Sequence, residues 1–222
     1  AADYKLVHHC GNGRSVYTFC MCPGGEVIAA SSEPGQVVTN GMSRFSRSAP
    51  NANSGLLVGV GPEDFGDGHP LAGVAFQRRW EELAFALGGG NYHAPAQTVG
   101  DLLAGRASPG FGSVKPSYSP GVTPADLSEC LPPYVIGAFR EALPQLGKKL
   151  SVFAQQDAVL TGVETRSSSP VRMLRTEACE SETLRGLYPA GEGAGYAGGI
   201  MSAAVDGVRV AESIMRAMAS AG

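Results

Sequence analysis

The amino-acid sequence predicts an α+β protein, and three observations lead to this. Short β-rich runs fill residues 1–61, helical periodicity dominates residues 70–145, and strand-like runs return from residue 158 before a long terminal helix. These elements alternate too unevenly for a repeating parallel βαβ pattern. We therefore predict a mixed β-sheet domain with a helical insertion over residues 1–157, followed by a smaller region with a last strand and helix over residues 158–222.

The first quarter of the chain is predicted to form a sheet. Residues Tyr4–Cys10 and Val16–Cys22 are β-rich, and Gly11-Asn12-Gly13-Arg14 between them has the residue types of a hairpin turn. The second strand is expected to stop at Pro23-Gly24-Gly25. Further short strands are predicted over residues 26–30, 36–39 and 55–61.

The middle of the chain is predicted to be helical. Phe76, Trp80, Leu83 and Leu87 are spaced as on one helix face, and three glycines then end the run. Thr123 before Pro124 is typical of an N-cap followed by proline at the first helical position. Further helices are predicted over residues 97–104, 124–130 and 133–143, and later strands over residues 158–163, 171–174 and 187–190.

Composition and charge exclude several classes of protein. The chain has 222 residues, 43% of them hydrophobic, and its 17 basic and 20 acidic residues give a formal charge of −3. No basic run indicates a nucleic-acid partner, and no apolar run reaches the roughly 18 residues of a membrane span. The five cysteines lack disulfide or zinc spacing. We expect a cytoplasmic protein, with an organelle left open because the first residue is not Met.

The segment Leu187–Ile200 predicts a cofactor cradle, since an apolar strand runs through glycines into the terminal helix. The stripe that begins at Ile200, Ala204 and Val208 is expected to bury one helix face against a sheet. Unpaired N–H groups at the helix start favour electron-rich ligand atoms. Gly193-x-Gly195-x-x-Gly198 fits the dinucleotide fingerprint, but no strand and acidic residue follow it. The alternative is a glycine-rich turn with no ligand.

Glu192 distinguishes between ligands of such a cradle. A carboxylate beside a pyrophosphate would be repelled, whereas beside a polyol it accepts hydrogen bonds from hydroxyls. The ribityl chain of a flavin is such a polyol. The alternative is that the Glu192 side chain is simply solvated.

Three further groups are candidates for chemistry. Cys20 and Cys22 lie two apart on a predicted strand, hence on one face, and Cys22 at the strand end is a candidate nucleophile or proton donor. The alternative is that both thiols are small buried fillers. Arg166 is a candidate for holding a substrate carboxylate or stabilising reduced flavin, against a plain surface pair with Glu164.

Amides and imidazoles carry weaker signals. Asn40, Asn51 and Asn53 sit in loops at predicted strand ends, where amides line polar sites but more often support turns. The four histidines, His8, His9, His69 and His93, show no ligand spacing with one another or with cysteine. No metal site is therefore predicted.

Several motifs resemble one family. Tyr188–Gly207 looks like the carboxy-terminal FAD motif of a family of largely uncharacterised FAD-dependent dehydrogenases. The other stretches that resemble it are 19–25, 38–43, 51–53, 69–73 and 161–171. The resemblance implies a substrate-type domain inserted into a Rossmann-like flavin-binding domain whose last strand and helix begin near residue 158. It implies that FAD contacts Gly191, Glu192, Gly193, Ala194, Gly195, Gly198, Gly199, Ile200 and Arg166.

The resemblance also defines what is missing. A FAD enzyme of this kind needs an early strand, a glycine turn and a helix for the pyrophosphate, and no such unit precedes residue 187. We therefore expect a fragment of a flavin oxidoreductase, inactive and without FAD by itself. In complete form it would transfer hydride between flavin and a small-molecule substrate, with NAD(P)H as candidate donor. The alternative is a non-catalytic domain that binds a small anion or a protein partner.

The resemblance further implies a surface that is left uncovered in this chain. Without the rest of a flavin-binding domain, the apolar face of the terminal helix along Ile200, Ala204 and Val208 would be exposed. We expect it to remain so or to be shielded by a second copy of the chain.

Overall fold

The computed structural model describes residues 5–66 and 68–220 and divides the chain into two compact units. The first contains Gln77–Thr165 and the described residues up to Asp64. The second contains Phe65–Phe76 and the described residues from Arg166 onward. Helices and sheets of both parallel and antiparallel pairing are present, so the α+β prediction is confirmed.

The first unit is built around one long strand. Strand β2 (Ser15–Ala29) pairs antiparallel with β1 (Val7–His9), β3 (Thr39–Ser43) and β4 (Asn51–Val58). The predicted hairpin turn joins β1 to β2, with Gly13 at a φ of 80° that suits glycine. This sheet confirms that the first quarter of the chain is β-rich.

Several predicted strand boundaries in this sheet are wrong. Strand β2 does not end at Pro23. Its pairing with β4 is irregular on each side of Cys22, and these irregularities let the strand continue to Ala29. The strand predicted over 36–39 begins only at Thr39, since the Val37 N–H donates to the Glu81 carbonyl rather than to a strand. The strand predicted over 55–61 lies at Asn51–Val58.

A second, smaller sheet belongs to the same unit. Strand β5 (Ala94–Thr98) pairs parallel with β6 (Val122–Pro124) and antiparallel with β7 (Val159–Thr161). The strand expected over 158–163 is therefore present. It lies in the first unit, although residues 158–222 are predicted to belong to the flavin-binding region.

The helical middle is largely as predicted. Helix α2 (Ala72–Leu87) ends at the three glycines, and α4 (Pro133–Lys149) is six residues longer than predicted. Helix α3 (Val99–Ala104) starts two residues late because Gln97 and Thr98 belong to β5, and Thr98 caps it. A single turn of helix, α1 (Pro62–Phe65), was not predicted. The core of the unit packs α3 and α4 with buried residues of both sheets, including Val16, Leu102, Leu143, Leu146 and Val163.

The helix predicted over residues 124–130 is wrong. Thr123 and Pro124 end strand β6, and the Ala125 N–H continues this pairing to the Ala96 carbonyl. Only Leu127–Glu129 forms a 3₁₀ turn, which the Asp126 side chain caps. Threonine before proline fits an extended strand as well as an N-cap, and the neighbouring strand decides between them.

The second unit has one long helix, α5 (Ile200–Ser220), as predicted. The strands predicted over 171–174 and 187–190 are absent among its described residues. Their backbone groups make isolated hydrogen bonds and no strand ladder. The Met173 N–H donates to the Ala194 carbonyl, and the Ser181 N–H donates to the Leu187 carbonyl. No described helix of the chain is both long enough and apolar enough to cross a membrane.

The stripe through Ile200, Ala204 and Val208 is exposed, so it does not pack against a sheet, and this agrees with the uncovered face expected for this chain. Asp206, Val210 and Ser213 are buried, whereas Ile200 is 84% exposed and Val208 60% exposed. The helix carries two stripes, and the small and polar one faces the unit because Asp206 has a partner there. The apolar stripe also includes the exposed Met215 and Met218.

Candidate functional site

A buried ion pair organises the second unit. Arg175 Nη2 lies 2.6 Å from Asp206 Oδ1, and Nη1 lies 3.0 Å from Oδ2, so the guanidinium and carboxylate meet through two bonds. The side chains are only 5% and 10% exposed. The bond to Arg175 lowers the pKa of Asp206 to about 2, and the same bond raises the pKa of Arg175. The pair is therefore charged at neutral pH.

The ion pair also fixes the glycine-rich segment before α5. Arg175 Nη1 donates to the Pro189 carbonyl at 2.7 Å, and the Gly191 N–H donates to Asp206 Oδ2 at 2.8 Å. The Arg175 guanidinium lies 3.6 Å from the ring centroid of Tyr196, a cation–π contact. Both ends of the segment are thus held by one pair of charges.

Sequence reasoning missed Arg175 and Asp206 as site residues. Asp206 was noted only as part of a motif, and nothing local indicates that an arginine 31 residues earlier is its partner. A lone acidic residue on the small-residue stripe of an amphipathic helix was the available signal, because a buried carboxylate requires a partner.

Two glycines of the segment are explained by the fold itself. Gly191 and Gly195 have φ of 70° and 83°, a region that favours glycine. A methyl group at Gly195 would lie 2.5 Å from the Val171 carbonyl oxygen. The neighbouring Ala194 is 5% exposed, so its side chain is buried, and its contact with a cofactor stays a prediction.

Three other glycines of the segment have no such explanation. A methyl group at Gly193, Gly198 or Gly199 would meet no described atom within 4 Å, and none of the three has a positive φ. The fold would accept a side chain at each, while glycine leaves space for a ligand to approach the backbone. The three glycines thus border open space, and their role in a cofactor cradle stays a prediction.

The helix start supplies polar groups beside that space. Helix α5 begins at Ile200, and the first N–H groups of a helix have no intrahelical acceptor. Glu192 is half-buried, its carbonyl accepts the Gly195 N–H at 2.9 Å, and its carboxylate has no partner among the described residues. The Ile200 side chain is mostly exposed. The helix start therefore offers backbone donors, and Glu192 next to Gly193 in the sequence offers one carboxylate acceptor.

Arg166 precedes a stretch that contacts the glycine segment. It is half-buried at the beginning of the second stretch of that unit. Three residues later, the Ser169 hydroxyl donates to the Gly193 carbonyl at 3.1 Å, so this stretch runs beside the glycine segment. The role of Arg166 at the flavin or the substrate stays a prediction.

The first unit contains a second candidate group of residues, around the cysteines of β2. Cys20 has a φ of 46° within the irregular part of the strand, so the expected alternation does not hold there. Cys20 is exposed, which rules out the buried-filler interpretation for it. Cys22 is half-buried, pairs with Asn53 of β4, and donates from its thiol to the Cys20 carbonyl at 3.1 Å.

Glu164 joins this region of the first unit. It follows β7, and its Oε2 would lie 3.0 Å from a methyl group at Gly55, which pairs with Phe19 next to the cysteines. Burial raises the pKa of Glu164, and its carboxyl has no partner among the described residues. Glu164 is therefore a candidate proton donor that sequence reasoning treated only as a surface group.

The asparagines of this region differ in their contacts. Asn51 Nδ2 donates to the Lys115 carbonyl at 2.8 Å, and Asn53 Nδ2 donates to the Met42 carbonyl at 3.3 Å. Asn40 is exposed on β3. All three asparagines therefore lie in strands and not in the predicted loops, and the amides of Asn51 and Asn53 support neighbouring backbone.

We expect that replacing Glu164 with Gln raises the free energy of unfolding above neutral pH by on the order of 1 kcal/mol, since a half-buried carboxylate without a partner is costly. Because the folded state holds this proton more tightly, the wild-type stability contribution falls as pH rises from the ordinary Glu pKa past the raised one. Urea unfolding between pH 4 and pH 8 measures this. Glu164→Gln should not show this decrease in stability with rising pH, whereas the exposed control Glu82→Gln should still show it.

The comparisons with known proteins define the family. Residues 1–167 match the family described as FAD-dependent protein, C-terminal domain-like, and the chain belongs to this family. An uncharacterised protein of Clostridium beijerinckii is 55% identical over 216 residues, which are 97% of this chain and 40% of that protein. The chain thus spans less than half the length of this relative. The family recognised from the sequence motifs is confirmed.

Proposed function

We propose that this chain is part of a FAD-dependent oxidoreductase in which its glycine segment and the start of α5 hold the flavin. The supporting observation is the open space at Gly193, Gly198 and Gly199, which the fold does not need and a ligand can use. Membership in a FAD-dependent family makes a flavin the ligand of choice. The glycine segment lies beyond the matched residues, so its role rests on geometry.

Different parts of the flavin would be bound by the start of α5 and by Glu192. The N–H groups at the start of α5 would donate to electron-rich flavin atoms, and the Glu192 carboxylate would accept from ribityl hydroxyls. The pyrophosphate would be held by the remainder of a longer protein, such as the relative that this chain covers to 40%. When bound, the flavin supplies hydride transfer.

The substrate side of the reaction is proposed from the first unit. Cys22 and Glu164 are candidates to give or take a proton there, since one is a half-buried thiol and the other a carboxyl with a raised pKa. In the second unit, Arg166 would stabilise negative charge on reduced flavin. A small-molecule substrate and NAD(P)H as electron donor complete the proposal.

We expect Glu192→Ala and Gly193→Ala to weaken FAD retention by the complete protein. Loss of a hydrogen bond to a charged group costs about 1.5–3 kcal/mol, or roughly 10- to 150-fold in affinity. A methyl group at Gly193 would fill the proposed space without a clash inside the protein. Flavin titration followed by desalting measures both effects.

The controls for this test are matched to each variant. Glu182→Ala changes an exposed carboxylate of the same unit, and Gly110→Ala adds a methyl group where no described atom lies within 4 Å. Both should retain FAD as the unaltered protein does. The 222-residue chain alone is expected to lose flavin on desalting, since it would lack the phosphate contacts. Unchanged retention in both test variants would rule out the cradle and favour the non-catalytic alternative.

A further inference from the structure

Three side chains with different ligand atoms meet at one end of the first unit. His8 Nε2, Cys10 Sγ and a carboxylate oxygen of Glu141 all lie within 4.8 Å of one another. His8 and Glu141 are 3.3 Å apart at their nearest atoms. This cluster lies outside both groups of residues discussed above, and sequence spacing does not reveal it because Glu141 is 131 positions after Cys10.

Regular secondary structure places the three ligands. His8 and Cys10 are two residues apart on and just after β1, so their side chains share one face, while His9 faces the other way and contacts Ser15. Glu141 lies on α4, one turn after Ala138, whose carbonyl accepts the Cys10 thiol at 3.7 Å. Strand and helix thus bring their ligands together.

A backbone hydrogen bond also orients the Glu141 carboxylate. The Gly11 N–H lies 3.0 Å from Glu141 Oε1 and 3.2 Å from Oε2, so the hairpin turn holds the carboxylate toward the strand. Hydrogen bonds of this kind fix metal ligands in known sites. An ordinary surface glutamate has no such restraint on its position.

We propose that His8, Cys10 and Glu141 bind a divalent transition-metal ion of the zinc class. Sulfur, imidazole nitrogen and one carboxylate form a donor set that suits zinc or cobalt rather than magnesium or calcium. Ligand atoms around tetrahedral zinc are about 3–4 Å apart, given bonds of about 2.0–2.3 Å. The cluster therefore needs to contract slightly, which the partly exposed His8 and Glu141 side chains allow.

The ion would link the β1–β2 hairpin to α4. Three protein ligands leave a fourth position, and the exposure of His8 and Glu141 lets water occupy it. An ion that binds the folded chain and not the unfolded chain would stabilise the fold by an amount that grows with the logarithm of the metal concentration. The site is therefore expected to act on the stability of the first unit.

The test is cobalt titration of the purified, metal-free 222-residue chain. We expect a thiolate-to-cobalt charge-transfer band and visible bands of a four-coordinate ion that saturate at one equivalent, and zinc should displace them. Cys10→Ser should abolish the charge-transfer band. His8→Ala should weaken binding by more than the roughly 10–100-fold that loss of an outer partner costs.

His9→Ala is the matched control for the metal-binding variants. His9→Ala removes the neighbouring imidazole on the opposite strand face and should bind cobalt as the unaltered chain does. Because Cys10 is buried, His8→Ala serves as the second variant if serine at position 10 unfolds the chain. Zinc should raise the thermal midpoint of the unaltered chain and of His9→Ala, but not that of His8→Ala. No stoichiometric charge-transfer band, or an equal one in His8→Ala and His9→Ala, would overturn the proposal.

Discussion

Replacing Arg175 with Met is expected to lower the free energy of unfolding of the second unit by about 3–5 kcal/mol. The substitution leaves the Asp206 carboxylate buried without its partner, and breaking one side of a buried ion pair typically has this effect. It also removes the bond to the Pro189 carbonyl and the contact with Tyr196. Amide hydrogen exchange along α5 would measure the loss where it occurs.

Two comparisons identify the cause of that loss. Arg185→Met removes an exposed arginine of the same unit and should change stability by less than about 0.5 kcal/mol. Adding Asp206→Leu to Arg175→Met should recover part of the stability, because the uncompensated charge is then gone. If Arg175→Met costs no more than Arg185→Met, the ion pair does not hold the segment.

The same ion pair predicts a pH dependence. The pKa of Asp206 is about 2, below the ordinary value of 3.8, so its contribution is present above the ordinary value and is lost as pH falls toward 2. The shift corresponds to about 2 kcal/mol. As pH is lowered, the loss of hydrogen-exchange protection of the α5 amides should therefore begin near pH 4 in the unaltered chain. The Arg175→Met variant should not show this acid-dependent loss.

The second large effect is expected for Gly195→Ala, which should destabilise the second unit by about 2–4 kcal/mol. Alanine at a φ of 83° costs about 1–2 kcal/mol, and the new methyl group would lie 2.5 Å from the Val171 oxygen, so the backbone must move. Thermal unfolding and hydrogen exchange of the segment would both report this. A loss below about 0.5 kcal/mol would show that the segment relaxes freely.

Gly193→Ala is the matched variant for this prediction. It lies two residues away in the same segment, has no positive φ, and adds a methyl group that meets no described atom within 4 Å. We expect its stability to change by less than about 0.5 kcal/mol while FAD retention falls. One glycine thus serves the fold and the other the proposed ligand, and the two measurements separate these roles.

Local sequence patterns were sufficient where a segment is long or its turn chemistry is specific. The periodicity of α2 and α5 and the turn at Gly11–Arg14 predicted these elements correctly, because helices are determined largely within their own residues. The family motifs were also recognised from sequence alone. The glycine segment was found in the same way, as a run that leads into a helix.

Short strands and proline positions depend on distant neighbours. Thr123-Pro124 fits either a helix start or a strand, and pairing with β5 decides for the strand. Residues 187–190 are apolar enough for a strand, but their neighbours provide single hydrogen bonds and no sheet. The continuation of β2 past Pro23 likewise depends on β3 and β4 and on its irregular pairing.

The fold class, the family and the glycine segment are predictable from the residues alone, because composition, periodicity and ordered motifs are properties of the chain. Which charged side chains pair depends on tertiary packing. Arg175 pairs with Asp206, which is 31 residues later in the sequence. His8 and Cys10 lie close to Glu141, which is more than 130 residues later. The stripe of α5 that is buried depends on the first of these contacts. Contacts this distant follow from packing of whole elements, which no local pattern records.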